Sequence, residues 1–225
     1  MTVLEPLLHV LPAAQRRIWP NLAPTTRLGF VLYGGTAIAL RLGHRTSIDF
    51  DFFTEQPLDH AAVRTSHTFF DQVTVLQEGP DTLTVLVHDS VEPNSHVKVS
   101  FFGGIDIGRV GRPQVTRDSV LQVASIQDLM ATKLKVMLQR AEAKDYMDVA
   151  AMLNSGASLA HGLASARAIY GTSFQPSESL KALVWFEDGD LDQLSTTDRE
   201  VLAQAVRGID TLPTVEVSSM RLAAN

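Results

Sequence analysis

Residues 47–53, "SIDFDFF", alternate so regularly between polar and apolar side chains that they predict a strand. Ile48, Phe50 and Phe52 would share one face, and Asp49 and Asp51 would point together from the other. Upstream, "LGFVLYGG" is a short apolar run ended by two glycines, which predicts a strand entering a tight turn. "TAIALRLG" then has helical spacing, with Gly43 as its stop.

The rest of the chain divides by period. Leu4 to Trp19 predicts a helix kinked near Pro12 and closed off by Pro20 and Pro24. Residues 58–70 read as a helix, "QVTVLQEGPDTLTVLVH" as two strands around a Glu-Gly-Pro-Asp turn, and "SHVKVSFF" as another strand. From Ser125 the pattern turns helical. Ser125 with Asp128 forms a capping box ahead of "IQDLMATKLKVMLQRAEAKDYMDVAAML", which breaks near Arg140 to Ala143. Further helices are expected at 157–169, 177–186 and 198–207, the last opened by Thr197 and Glu200. Strands first and helices afterwards predict an α+β chain: a mixed sheet with flanking helices in residues 1–120, then a helical lobe in residues 121–225.

Composition narrows the chemistry. A hydrophobic content of 45% supplies a core, and no apolar stretch approaches the roughly 18 residues of a membrane span, so a cytoplasmic chain with no membrane partner is expected. The absence of cysteine leaves oxygen and imidazole as the only metal ligands. A net charge of −6 argues against binding nucleic acid over the whole surface, although Arg41, His44 and Arg45, and later Lys133, Lys135, Arg140 and Lys144, concentrate positive charge locally.

Two carboxylates two residues apart on a strand suit one divalent ion shared between them, or two ions bridged by them. A Gly-Gly turn running into a helix exposes backbone N–H groups suited to phosphate oxygens. Gly34-Gly35, thirteen residues, then Asp49-Phe50-Asp51-Phe52 resembles the signature of the polymerase-β-like nucleotidyltransferases. More narrowly, "GGTAIALRLGHRTSIDFDFF" with "ATKLKVMLQRAEAKDYMDVAAML" resembles the AbiEii/AbiGii toxin family, over residues 28–53 and 121–153. The resemblance implies transfer of a nucleoside monophosphate from a nucleoside triphosphate, with Mg2+ or Mn2+ as cofactor. Asp49 and Asp51 would hold the metal, and Gly34, Gly35, Thr36, Arg45 and Lys133 would bind the nucleotide. Asp49, Asp51, Lys133 and Asp145 would form the catalytic set, with the helical lobe completing the site. Asp148, one turn beyond Asp145, would position Lys144 or Arg140. The implied partners are an RNA or tRNA acceptor, or a protein hydroxyl, and a cognate antitoxin.

One position departs from that pattern. Many members of the superfamily carry a third carboxylate on a later strand, where this chain has Lys98 and Ser100 in "HVKVSFF" and Asp106 only in the following loop. Three readings of function stay open: a nucleotidyltransferase toxin, a non-catalytic nucleotide-binding module, and a small-molecule nucleotidyltransferase. The histidines, His44, His67 and His96 among them, lack a metal-binding spacing and are expected at the surface or in loops, whereas Trp185 and Phe186 are expected to pack.

Overall fold

A computed structural model describes residues 3–224. In chain order the strands and helices of the first part are β1 (Val3–Leu4), α1 (Ala13–Ile18), α2 (Pro24–Arg27), β2 (Val31–Tyr33), α3 (Gly34–Leu42), β3 (Asp49–Phe53), α4 (His60–Ser66), β4 (Val73–Gly79), β5 (Thr82–His88), β6 (His96–Phe102), β7 (Gln114–Thr116) and β8 (Gln122–Val123). These strands make one mixed sheet in the order β1-β7-β8-β2-β3-β6-β5-β4. The second part holds α5 (Ile126–Val136), α6 (Ala143–Asn154), α7 (Leu159–Tyr170), α8 (Pro176–Ala182) and α9 (Thr196–Arg207). The expected α+β class is observed, and among the described residues no helix is long and apolar enough to cross a membrane.

Two compact units result, and the chain crosses between them more often than a single cut at residue 120 would allow. Residues 1–107, 112–124 and 220–225 form the first, and residues 108–111 and 125–219 the second; residues 1, 2 and 225, at the ends of the expected spans, lie outside the described residues. The small excursion at 108–111 has a local cause. Asp128 accepts hydrogen bonds from the Val110 N–H at 2.7 Å and the Gly111 N–H at 3.2 Å, which ties that segment to the first turn of α5.

In the first unit the central strands place aromatic rings on both faces. Phe50, Phe52 and Phe101 are fully buried, with Phe52 and Phe101 stacked at 5.6 Å and Trp19 tilted against Phe50 at 6.3 Å. On the opposite face Phe53 stacks on Tyr33 at 5.0 Å and meets Phe102 edge-on at 5.3 Å. Ile48 does not join the buried face: it precedes β3 and is 64% exposed. The expected helix from Leu4 to Trp19 is reduced to α1. Val3–Leu4 pair with β7 instead, and Pro12, which cannot donate to a preceding helical turn, is the N-cap of α1.

The second unit is all helical. Ser125 caps α5 by accepting from the Asp128 N–H at 3.1 Å, as the capping box predicts. The cap of α9 is shifted from the expectation: Ser195 accepts from the Asp198 N–H at 3.0 Å, two residues before the Thr197/Glu200 register. Helix α8 ends at Ala182, which leaves Trp185 57% exposed, while Phe186 packs against Tyr146 and under Arg199.

Candidate active site

In the first unit the site begins at the turn between β2 and α3. Gly34 has φ +72°, a conformation that glycine adopts without strain, and it reverses the chain from strand into helix within one residue. The N-cap residue Tyr33 makes no side-chain capping bond and no acid sits in the first turn, so the leading N–H groups of α3 carry the partial positive charge of the helix end. Gly43, at φ +67°, ends the helix by donating its N–H to the Ala39 carbonyl at 2.8 Å, as expected.

Strand β3 brings the aspartates to this turn. It pairs antiparallel with β2, setting Tyr33 opposite Asp51, and parallel with β6, setting Asp49 beside Lys98 and Asp51 beside Ser100. Cross-strand partners share a face, so two rows of side chains stand together: Asp49 with Lys98, and Tyr33, Asp51, Ser100 and Thr84. A Cβ placed on Gly34 would lie 2.8 Å from Asp51 Oδ2. The carboxylate therefore rests against the backbone of the turn. Asp49 is about one-third exposed, and its Oδ2 accepts from Lys98 Nζ at 3.2 Å.

The remaining predicted residues of this unit fall into two groups. Arg45 lies over Gly35, where its guanidinium occupies the space that a Cβ would need, and it donates to the Thr46 carbonyl at 3.0 Å. Thr36 and Arg41 are turned to structural work. Thr36 is 1% exposed; its hydroxyl donates to the Asp49 carbonyl and lies 2.8 Å from the Ser47 hydroxyl, which locks the start of β3 onto α3. Arg41 donates to the Ala124 carbonyl at 2.5 Å and to Gln114, spending its guanidinium on the neighbouring strands instead of lining a groove. Asp106 is exposed in the loop past β6, where the Ile105 N–H donates to the Thr54 carbonyl at 3.1 Å, three residues beyond Asp51.

A second charged cluster is built in the helical unit. Lys133 on α5 is 7% exposed, and its Nζ donates to Asp145 Oδ1 at 2.5 Å and lies 2.7 Å from Asp148 Oδ2; both aspartates, one turn apart on α6, are fully buried. Arg140 Nε donates to Asp145 Oδ2 at 2.9 Å. Burial pushes the Asp145 carboxyl up, but Lys133 and Arg140 outweigh it and hold the group below its ordinary range. Asp148 thus meets Lys133, whereas Lys144, one of its two expected partners, pairs with Glu142 at 2.8 Å.

As a metal site the aspartate pair offers oxygen donors only. Among the described residues no group of three acids, histidines or cysteines converges on one point. Two carboxylates on one strand face fit a magnesium or manganese ion that draws its other ligands from substrate phosphates and water.

A family model described as nucleotidyl transferase AbiEii toxin, type IV TA system, matches residues 21–217. The chain belongs to the AbiEii nucleotidyltransferase toxin family. Membership gives it the enzyme class that the Gly-Gly and Asp-Phe-Asp segments implied, a nucleotidyltransferase. A curated relative, uncharacterized protein aq_aa25 of Aquifex aeolicus (strain VF5), is 33% identical over 122 residues, 53% of this chain; the match spans 55% of that protein's own length. Two solved structures share the AbiEii chain's fold at 14% identity. An antigenic nucleotidyltransferase-like protein from Paracoccidioides brasiliensis superposes with a TM-score of 0.54, covering 91% of this chain and 95% of its own. MenT4, a nucleotidyltransferase toxin of Mycobacterium tuberculosis H37Rv, gives 0.51 with 85% and 82% coverage.

Sequence reasoning placed Lys98 and Ser100 on the strand where many superfamily members carry a third carboxylate, but it missed the pairing of Lys98 with Asp49. Alternation in "HVKVSFF" puts Lys98 and Ser100 on one face, but only the strand order reveals that this face adjoins Asp49 and Asp51.

Proposed function

We propose that this AbiEii-family chain transfers a nucleoside monophosphate from a magnesium-bound nucleoside triphosphate to an acceptor hydroxyl, as the toxin of a toxin–antitoxin pair. The observation that carries the reading is the contact of Asp51 with Gly34, which sets one carboxylate of the pair against the N-terminus of α3. The acceptor is a hydroxyl of RNA, the 3′ end of a transfer RNA included, or of a protein. A cognate antitoxin is the expected partner.

In the reaction a bond forms from the acceptor oxygen to the α-phosphorus, the bond from that phosphorus to the bridging oxygen breaks, and pyrophosphate leaves. The hydroxyl proton passes to solvent. A divalent ion held by Asp49 and Asp51 would neutralise charge as it develops on the phosphate oxygens. The N–H groups at the start of α3 hold the triphosphate chain, and the Arg45 guanidinium over Gly35 adds a fixed positive charge. Thr36 acts from behind, fixing the backbone of Asp49. Within the helical unit Asp145, with both oxygens engaged, holds Lys133 in place.

The test is incubation of the protein with each labelled nucleoside triphosphate, magnesium and total RNA, in parallel with Asp49→Ala. Label that enters RNA or protein in the wild type and is lost in the variant is the expected result. Nucleotide binding without transfer to any acceptor would favour a non-catalytic nucleotide-binding module. The buried Ser100 beside Asp51, where a carboxylate would otherwise add a metal ligand, gives that second reading its footing.

A further inference from the structure

Resting on the nucleotidyltransferase reading, we propose that Lys98 is a built-in cation of the site, holding Asp49 Oδ2 so that the aspartate pair takes one divalent ion with its nucleotide instead of two.

Register supplies the first argument. Lys98 is the in-register neighbour of Asp49 on the adjoining parallel strand, so the two side chains leave the same face about 4.8 Å apart in backbone spacing. The lysine is brought there by a strand and not by a loop. Its other cross-strand neighbour is Leu86 on β5, so Asp49 is the only carboxylate in that row.

The second argument is a count of ligands. A second ion needs oxygen donors of its own. Asp49 Oδ2 already accepts from Lys98 Nζ at 3.2 Å, and the adjacent position in the Asp51 row is Ser100, 2% exposed and neutral, followed by Thr84. A neutral hydroxyl brings no negative charge to offset a second magnesium ion, as a carboxylate would. An ammonium group beside Asp49 would also repel an ion placed at that oxygen.

The third argument concerns stability. Lys98 and Asp49 are 39% and 34% exposed, and ion pairs so exposed add little to stability. The fold has little need of this pair. Its effect falls on the electrostatics of the carboxylates, where Lys98 acts as a positioning residue.

The experiment measures Mn2+ bound per chain by electron paramagnetic resonance, with a nonhydrolysable nucleoside triphosphate analogue present. It compares wild type, Lys98→Arg, Lys98→Ala, and Lys98→Ala combined with Ser100→Asp. Thermal melting checks that each variant is folded. We expect one ion per chain for the wild type and for Lys98→Arg, an approximately tenfold tighter ion site in Lys98→Ala without analogue, and two ions per chain in the double variant. A wild type that takes the analogue with two ions overturns the role of Lys98 and leaves the nucleotidyltransferase reading intact. So does a Lys98→Ala protein in which neither the affinity nor the number of ions changes. A wild type that takes no analogue at all overturns both.

Discussion

Asp51 leans on Gly34: its Oδ2 occupies a point 2.8 Å from where a side chain at residue 34 would begin, and Gly34 itself sits at φ +72°. The neighbouring Gly35 faces chiefly the flexible end of Arg45, with the Ser47 hydroxyl next at 3.3 Å from a Cβ built there. The two glycines should therefore respond differently to the same substitution. Gly34→Ala should destabilise the protein by about 1–3 kcal/mol, because the backbone is strained and the carboxylate is displaced. Gly35→Ala should cost far less, since the guanidinium can swing aside. Urea denaturation of both variants checks this, and nucleotide binding should weaken in each, through Asp51 in one and Arg45 in the other.

Lys133 is held by two fully buried carboxylates, so its removal leaves charge without compensation. Lys133→Met should cost about 3–5 kcal/mol, as breaking a buried ion pair from one side usually does. Asp145→Asn keeps the shape and tests the pH dependence. The folded carboxyl of Asp145 lies below its ordinary value, so its stabilisation is fully present above about pH 4 and is lost as pH falls through the folded value. The stability difference between wild type and Asp145→Asn should thus shrink steadily under acid titration. A difference that stays constant to pH 2 would contradict the pairing.

His67 lies in the connection after α4, one of the two places expected for the histidines, but it is buried there. It is 2% exposed, in contact with Phe69, Phe70 and Phe101; Nδ1 donates to the Val63 carbonyl at 2.8 Å and Nε2 has no protein partner. Burial pushes its pKa down, so the unfolded chain binds a proton that the folded chain refuses. The stabilisation is fully present above the ordinary histidine value and is lost as pH falls from about 6.5 toward the folded value. Melting temperature should drop between about pH 7 and 5 in the wild type and drop less in His67→Leu. Equal slopes for the two proteins would remove His67 as the cause.

What could be read from the sequence had short-range physical causes. Period-two alternation exposed Asp49 and Asp51, the glycine pair marked the β2–α3 turn, Gly43 marked the helix end, and Ser125 with Asp128 marked the start of α5. What was missed depends on partners distant in sequence. Val3–Leu4 and Gln122–Val123 are too short to carry a periodic signal and become strands only because β7 and β2 lie beside them. The shifted cap of α9 arose because Ser195 and Thr197 carry equivalent hydroxyls, and only the backbone geometry distinguishes them. The bonding of Arg41 to the Ala124 carbonyl and the pairing of Lys98 follow from strand order, which periodicity does not encode.

The last described residues return to the sheet. Leu222 is fully buried; its N–H donates to Glu55 at 3.0 Å, and the Ala224 N–H donates to Gln122 at 2.8 Å. A chain emerging from the ribosome makes the Asp49 strand early, yet the unit that carries it lacks one of its core leucines, Leu222, until residues 125–219 have also been made. Vectorial synthesis thus favours helices α5–α9 settling before the sheet that precedes them is complete. The lobe that is begun first is the one closed last.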